Sequence, residues 1–282
     1  MTFGINTFLF TSPFTNDSFH LLEQIREWGF DSVELALEDA SHVDAKAFKK
    51  ALNDNNLVCG SVCVALGPDR DLRGPKEYQQ NSLDYMNSVL DFMAEVGIPV
   101  IVGPLYSAVG RAELVTPDDY KQQWELAVNN LRTLAEYASQ RKARLAIEPL
   151  NRYETDFINT CAQGLKLVND INHAAAGLLL DSYHMNIEEK NSADAIRAAG
   201  NKLFHFHACG CDRGTPGNDH IDWNSIVAAL KAINYDQSIV IESFVPDIKV
   251  IARAASIWRK FEPSPEDIGR KGLEFLRGKL NK

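Results

Sequence analysis

Four residues of this chain close short apolar runs and share one chemistry. Glu148 follows Ala143-Arg-Leu-Ala-Ile, Asp181 follows Gly177-Leu-Leu-Leu, His207 follows Leu203-Phe-His-Phe, and Glu242 follows Ser238-Ile-Val-Ile. Their separations are 33, 26 and 35 residues, about one strand-helix unit each, so four adjacent strands would bring them to one mouth. Three carboxylates crowded beside an imidazole repel one another and rise in pKa unless a cation holds them. A divalent ion resolves this, and oxygen-rich ligation with one His and no thiolate favours Mn²⁺, Co²⁺ or Mg²⁺ over a structural zinc site. Any one of these residues alone reads equally well as an ion pair or a capped strand end; the spacing of all four carries the metal reading.

A second set lies on the loops that follow. Glu154 is six residues past Glu148, His184 three past Asp181, and Arg213 six past His207. Loops after barrel strands are where substrate is recognised, and such polar and cationic groups beside a metal suit the hydroxyl and carbonyl oxygens of a polyol. Phe8, Phe10, Phe14 and Phe244 are candidates to wall the pocket, with plain core packing as the alternative. His220, in Asn218-Asp-His-Ile-Asp-Trp223, reads as either a site residue or a capping and packing residue.

These residues need a frame, and the chain supplies one by alternating short β-branched runs with longer amphipathic stretches, the pattern of parallel strands joined by helical crossovers. Strands are expected at 3–8, 32–37, 58–65, 99–103, 143–148, 177–181, 203–207 and 238–242, several of them nearly all apolar, as for strands buried on both faces. Helices are expected at 76–96, 118–140 and 223–233. Thr116-Pro117-Asp118 reads as an N-cap with Pro in the first turn, Gly29 and Gly97 as C-terminal stops, and 265–280 as an extra amphipathic helix after the eighth unit. The expectation is an α/β chain forming a (β/α)8 TIM barrel over 1–282 as one domain. A doubly wound open sheet is the second choice, disfavoured because no G-x-G-x-x-G loop follows an early strand.

Charge and cysteine usage narrow the partners. A net charge of −9 offers no basic face for nucleic acid or anionic membrane, and no stretch approaches the ~20 apolar residues that span a bilayer. The five cysteines, an odd number, fit reduced thiols in cytoplasm, and Cys209-x-Cys211 reads as packing because CxC alone lacks the second pair of a thiolate zinc site.

The motifs Glu148-Pro-Leu-Asn-Arg-Tyr-Glu154, Asp181-Ser-Tyr-His-Met-Asn-Ile-Glu-Glu189, Phe204-His-Phe-His207 and Ile241-Glu-Ser-Phe244 resemble those of the D-tagatose 3-epimerase and D-psicose (D-allulose) 3-epimerase family, within the xylose-isomerase-like barrels. The resemblance covers most of the chain. It implies that Glu148, Asp181, His207 and Glu242 hold one metal ion, commonly Mn²⁺ or Co²⁺, that Glu154, His184 and Arg213 bind substrate oxygens, and that the chain forms a homodimer or homotetramer. Three positions depart from the family pattern: Gly210 stands where an acidic residue is usual, Val109 near a sugar-contacting tryptophan, and Ser243 where proline is usual. They concern the distal carbons of the sugar, so a different ketose or a sugar derivative stays open.

The implied reaction is C3 epimerisation of a free ketose, with Glu148 and Glu242 as the catalytic pair that removes and returns a proton on opposite faces of an enediolate. Proton transfer between C1 and C2 on one face would make the same site an aldose–ketose isomerase. A metal-dependent nuclease of the endonuclease IV type shares this barrel, but the seven histidines and the negative charge disfavour it. A sugar-binding protein without turnover is the reading from a third class.

Overall fold

In the computed structural model, residues 1–280 are described; the last two positions of the 1–282 span lie outside them. Among the described residues, eight parallel strands close into a barrel: β1 (Thr2–Asn6), β2 (Ser32–Ala36), β3 (Val58–Cys63), β4 (Val100–Gly103), β5 (Arg144–Ile147), β6 (Ala176–Asp181), β7 (Leu203–Ala208) and β8 (Ser238–Ile241). Each strand pairs with its sequence neighbour, and β8 returns to β1 through Thr2↔Ser238 to Ile5↔Ile241. Closure leaves no open sheet edge, and the alternative of an open doubly wound sheet is not what forms.

Helices follow the strands in turn: α1 (His20–Glu27), α2 (Ala45–Asp54), α3 (Lys76–Val96), α4 (Pro117–Gln140), α5 (Cys161–Ile171), α6 (Ser182–Glu188), α7 (Ser192–Ala199), α8 (Trp223–Ala232), α9 (Lys249–Ala254) and α10 (Pro265–Leu280). The expected punctuation operates. Thr116 accepts from the backbone N–H of Asp119 to start α4 with Pro117 in its first turn, and Gly97 ends α3 at φ 97°, where an L side chain would be strained. Gly29, at φ 94°, follows α1 in the same way. The helix expected over 265–280 forms as α10 and lies beside β8 and α8, burying Ile268, Leu273, Leu276 and Leu280.

Between barrel and helices the core is filled by strand residues such as Ile5, Leu35, Ile101, Leu145, Leu178 and Ile241 with helix residues such as Leu22, Met86, Leu131 and Leu167. The interior face is different. β7 is irregular opposite Leu178 and Leu179, where its pairing skips Phe204; beyond that point His205 and His207 share one face and Phe206 takes the other. Two strands end two residues earlier than the sequence suggests, and β2, β5 and β8 one residue earlier. β1 stops at Asn6, whose side chain accepts from the backbone N–H of Phe8 (2.8 Å) and turns the chain into a short 3₁₀ segment, Thr7–Leu9. β3 stops at Cys63 rather than residue 65. Among the described residues no helix is long and apolar enough to cross a membrane.

Candidate active site

The barrel's register sets the site's layout. β6 and β7 pair Asp181 with His207, while Glu148 and Glu242 are the residues immediately after β5 and β8. The backbone N–H of Glu148 donates to the carbonyl of Gly103 (3.0 Å), which ties the start of the β5 loop to β4. Asp181 also caps α6, its Oδ1 accepting from the N–H of Tyr183 (2.6 Å). One ligand atom from each of Glu148, Asp181, His207 and Glu242 lies within 4.8 Å of the others, and all four residues are buried.

This set suits a divalent ion. His207 Nδ1 stands 3.3 Å from Glu242 Oε2 and 3.8 Å from Asp181 Oδ2. Both His207 Nδ1 and Glu148 Oε1 are buried without a hydrogen-bond partner, which in a protein interior marks a missing acceptor, donor or ion. Burial, reinforced by the charge of Glu242, pushes the Glu148 carboxyl well above the ordinary range. Burial pushes Glu242 up too, but His207 and Arg213 overcome it and hold the carboxyl low. For His207 burial acts downward, and the carboxylates of Glu34 and Glu242 outweigh it and raise the imidazole well above its usual value. A cluster so polarised is stabilised by a cation of fixed charge.

The loop residues gather around it. Arg213 reaches in so that its Nη1 bonds Asp181 Oδ2 and lies 3.1 Å from Glu242 Oε2. Its guanidinium lies over the rings of Tyr183 (4.7 Å) and Phe244 (5.0 Å). Its backbone takes φ 70°, unusual for a residue with a side chain, and is pinned by the hydroxyl of Ser243, which donates to its carbonyl (2.5 Å). Asn151 organises the other two: its backbone N–H donates to His184 Nδ1 (3.0 Å) and its amide to Glu154 Oε1 (2.7 Å). The opposite nitrogen of His184 faces Glu148 Oε1 at 3.5 Å. Burial, with Arg213 and His207 adding to it, keeps His184 well below its usual pKa and therefore neutral.

A cavity opens over the cluster, lined by Glu148, Glu154, Arg213 and Glu242 with Phe8, Cys63, Val109, Leu150, Phe244 and Ile251. Phe8 and Phe244 thus form wall. Phe10 instead packs on Trp28, and Phe14 is buried against Phe19 and Phe48, so Phe14 belongs to the core and half-buried Phe10 packs against it. His184 is not on the cavity wall but faces Glu148, which is, and exposed His220 is on the loop before α8, whose cap is Asp222. All five cysteines are free, and Cys209 packs its sulfur 3.3 Å from Asp181 Oδ1.

Sequence reasoning missed Glu34. It sits mid-strand in β2, fully buried, with His207 Nε2 2.8 Å from Oε1 and His205 Nε2 2.8 Å from Oε2. A signal existed: it is the single charged residue in Ser-Val-Glu-Leu-Ala.

Comparison with known proteins places this geometry among relatives. The family described as the xylose isomerase-like TIM barrel matches residues 22–279. A protein of Synechocystis sp. named probable ketose 3-epimerase is 32% identical over 277 residues, which is 98% of this chain and 95% of that protein. An L-ribulose 3-epimerase of Methylomonas sp. is 30% identical over 252 residues, 88% of this chain and 87% of its own. The crystal structure of a D-allulose 3-epimerase from Methylomonas sp. in complex with D-allulose superposes with a TM-score of 0.93 at 27% identity, covering 99% of this chain and 97% of that one.

Proposed function

Because the chain belongs to the xylose isomerase-like TIM barrel family, and within it to the ketose 3-epimerases, we propose that it is a metal-dependent epimerase that interconverts the C3 epimers of a free ketose of the D-tagatose, D-psicose or L-ribulose type. The observation that carries this reading is the buried quartet of Glu148, Asp181, His207 and Glu242, with its two glutamates also on the wall of the cavity. The quartet holds one divalent ion, Mn²⁺ first and Co²⁺ or Mg²⁺ as alternatives, given its hard oxygen donors and single imidazole. When bound, the ion supplies the positive charge that polarises a ketose carbonyl and offsets the charge of an enediolate.

The chain's own groups do the rest. Glu148 and Glu242 take and return the C3 proton on opposite faces, and the direction of reaction decides which is base and which acid. Asp181 and His207 act as ligands only. Arg213 and His184 donate to substrate oxygens, and Glu154 receives a substrate hydroxyl from the cavity wall, where Asn151 orients it. The apolar wall excludes water from the reacting carbons.

Two further readings belong to the same proposal. The enzyme works in the cytoplasm, which the free cysteines favour. It forms a homodimer or homotetramer, the state that its resemblance to the D-tagatose and D-psicose 3-epimerase family implies.

The test is isotopic. Mn²⁺-loaded enzyme turned over on D-psicose in D₂O should place deuterium at C3 of the product, since the proton taken by one carboxylate is not the one delivered by the other. Label confined to C1 or C2 would instead make it an aldose–ketose isomerase.

A further inference from the structure

We propose that Glu34 is the positioning residue that fixes the ring and tautomer of His207 and so sets the affinity of the site for its divalent ion; this rests on reading the quartet as a metal site. Glu34 is fully buried and absent from the cavity wall, so it meets no substrate. A buried carboxylate is costly unless it is paired and hydrogen-bonded. Its partners therefore say what it is for.

Those partners are supplied by three neighbouring strands. Asn6, Glu34 and Ser61 are register partners across β1, β2 and β3, so their side chains point together into the barrel. Asn6 Nδ2 donates to Oε1 (2.8 Å) and the Ser61 hydroxyl to Oε2 (2.6 Å). From β7, His207 Nε2 approaches Oε1 and His205 Nε2 approaches Oε2, each at 2.8 Å. Each oxygen thus has two neighbours, which matches the lone-pair capacity of a carboxylate. Glu34, His205 and His207 are also close enough to hold an ion among themselves. Asn6 and Ser61 each take one lone pair, and His207 Nε2 stands at hydrogen-bonding distance on the second lone pair of Oε1, which favours a hydrogen-bonding role.

What the bond to His207 does follows from the two ends of an imidazole. With Glu34 accepting at Nε2, the neutral ring keeps its proton there and turns the lone pair of Nδ1 toward Glu242 and Asp181. His205 stands edge-on to His207, ring centroids 5.1 Å apart at 82°, with its Nε2 close to the far oxygen of the same carboxylate but outside hydrogen-bonding geometry. Asn6 joins Glu34 to the quartet, for its amide nitrogen is also 3.3 Å from Glu242 Oε1.

The experiment is calorimetric titration of MnCl₂ into metal-stripped, full-length protein. Glu34→Gln keeps the shape but removes the negative charge and one acceptor oxygen, so His207 loses its charged acceptor. Mn²⁺ dissociation should weaken about 10- to 100-fold, the usual effect of losing a partner of a ligand histidine, and the Co²⁺-loaded variant should change its visible absorption spectrum. A lower melting temperature of the metal-free variant with wild-type affinity for Mn²⁺ would overturn the proposal, because it is the mark of a packing role alone. Should Glu34→Gln not fold, Glu34→Asp keeps the charge and withdraws it from His207; the same weakening is expected, and unchanged affinity again overturns the idea. Failure of the wild-type protein to bind Mn²⁺ would overturn the metal-site reading itself, and this inference with it.

Discussion

Charge balance at the cluster depends on which cation is present, because Arg213 Nη1 touches carboxylate oxygens of Asp181 and Glu242, two of the four residues that would hold a divalent ion. Without the ion, protons and Arg213 together offset the carboxylates. Glu148 is pushed up by burial, and His207 is held up by Glu34 and Glu242 against its burial. Both groups have folded pKa values above their unfolded ones. The stability they contribute is fully present below the unfolded values and is lost as pH rises through the folded ones. Mn²⁺ must displace those protons, so binding should release at least one proton near neutral pH, and affinity should fall as pH drops. Titrations in buffers of differing ionisation enthalpy measure the number directly, and a proton count of zero would contradict these shifts. The quartet was legible in sequence because each member ends an apolar run at one-unit spacing. Glu34 was marked only as the lone charge of its strand, and such a charge looks like a solvent-facing residue until the barrel closes around it. His205 was readable in principle: two residues before His207 on a strand, it must share its face.

Elements position these residues through a few close approaches. At the end of β4, Gly103 has φ 127°, and a Cβ there would lie 2.3 Å from the carbonyl oxygen of Val64. Its own carbonyl accepts from Glu148, so this approach of β4 to the β3 loop also sets where the glutamate's backbone begins. Gly103→Ala should therefore destabilise the fold by about 2 kcal/mol or more, combining backbone strain with a steric shift. Urea unfolding of the variant checks it; a change under about 0.5 kcal/mol, the size usual for an innocuous surface substitution, would show that the strand end yields easily. All eight strands and α3, α4, α8 and α10 could be read from periodicity and caps, while some strand ends could not. Phe8 illustrates why: a buried apolar residue after an apolar strand continues the pattern whether the chain extends or turns. The capping bond from Phe8 to Asn6, which decides the matter, leaves no hydrophobic trace.

At the scale of the molecule, the site is a property of closure. Asn6 on β1, Glu34 on β2, Ser61 on β3, Asp181 on β6 and His207 on β7, with Glu148 and Glu242 just beyond β5 and β8, contribute to one connected set of polar groups. The outer ring is completed by α10, whose Gly272 lies against Ile241 of β8 and whose Gly269 lies against Ile5 of β1 and Phe30, across the seam where the barrel joins. Sequence pattern could indicate α10 as an amphipathic helix but not that it spans this seam, because the seam joins the two ends of the chain. If residues 1–282 fold as one unit, an ion bound to the centre stabilises every strand together. Mn²⁺ at about 100 times its dissociation constant should add about 2.7 kcal/mol, which for a chain of this size raises the melting temperature by roughly 5 °C or somewhat more. The four tryptophans, Trp28, Trp124, Trp223 and Trp258, lie at or after α1, in α4, in α8 and after α9, so their emission samples separate parts of the outer ring. Melting followed by tryptophan emission and by far-ultraviolet circular dichroism should give coincident transitions, and both should move upward together with Mn²⁺. Two separated transitions, or a shift seen by one probe alone, would mean that part of the ring unfolds independently of the metal centre.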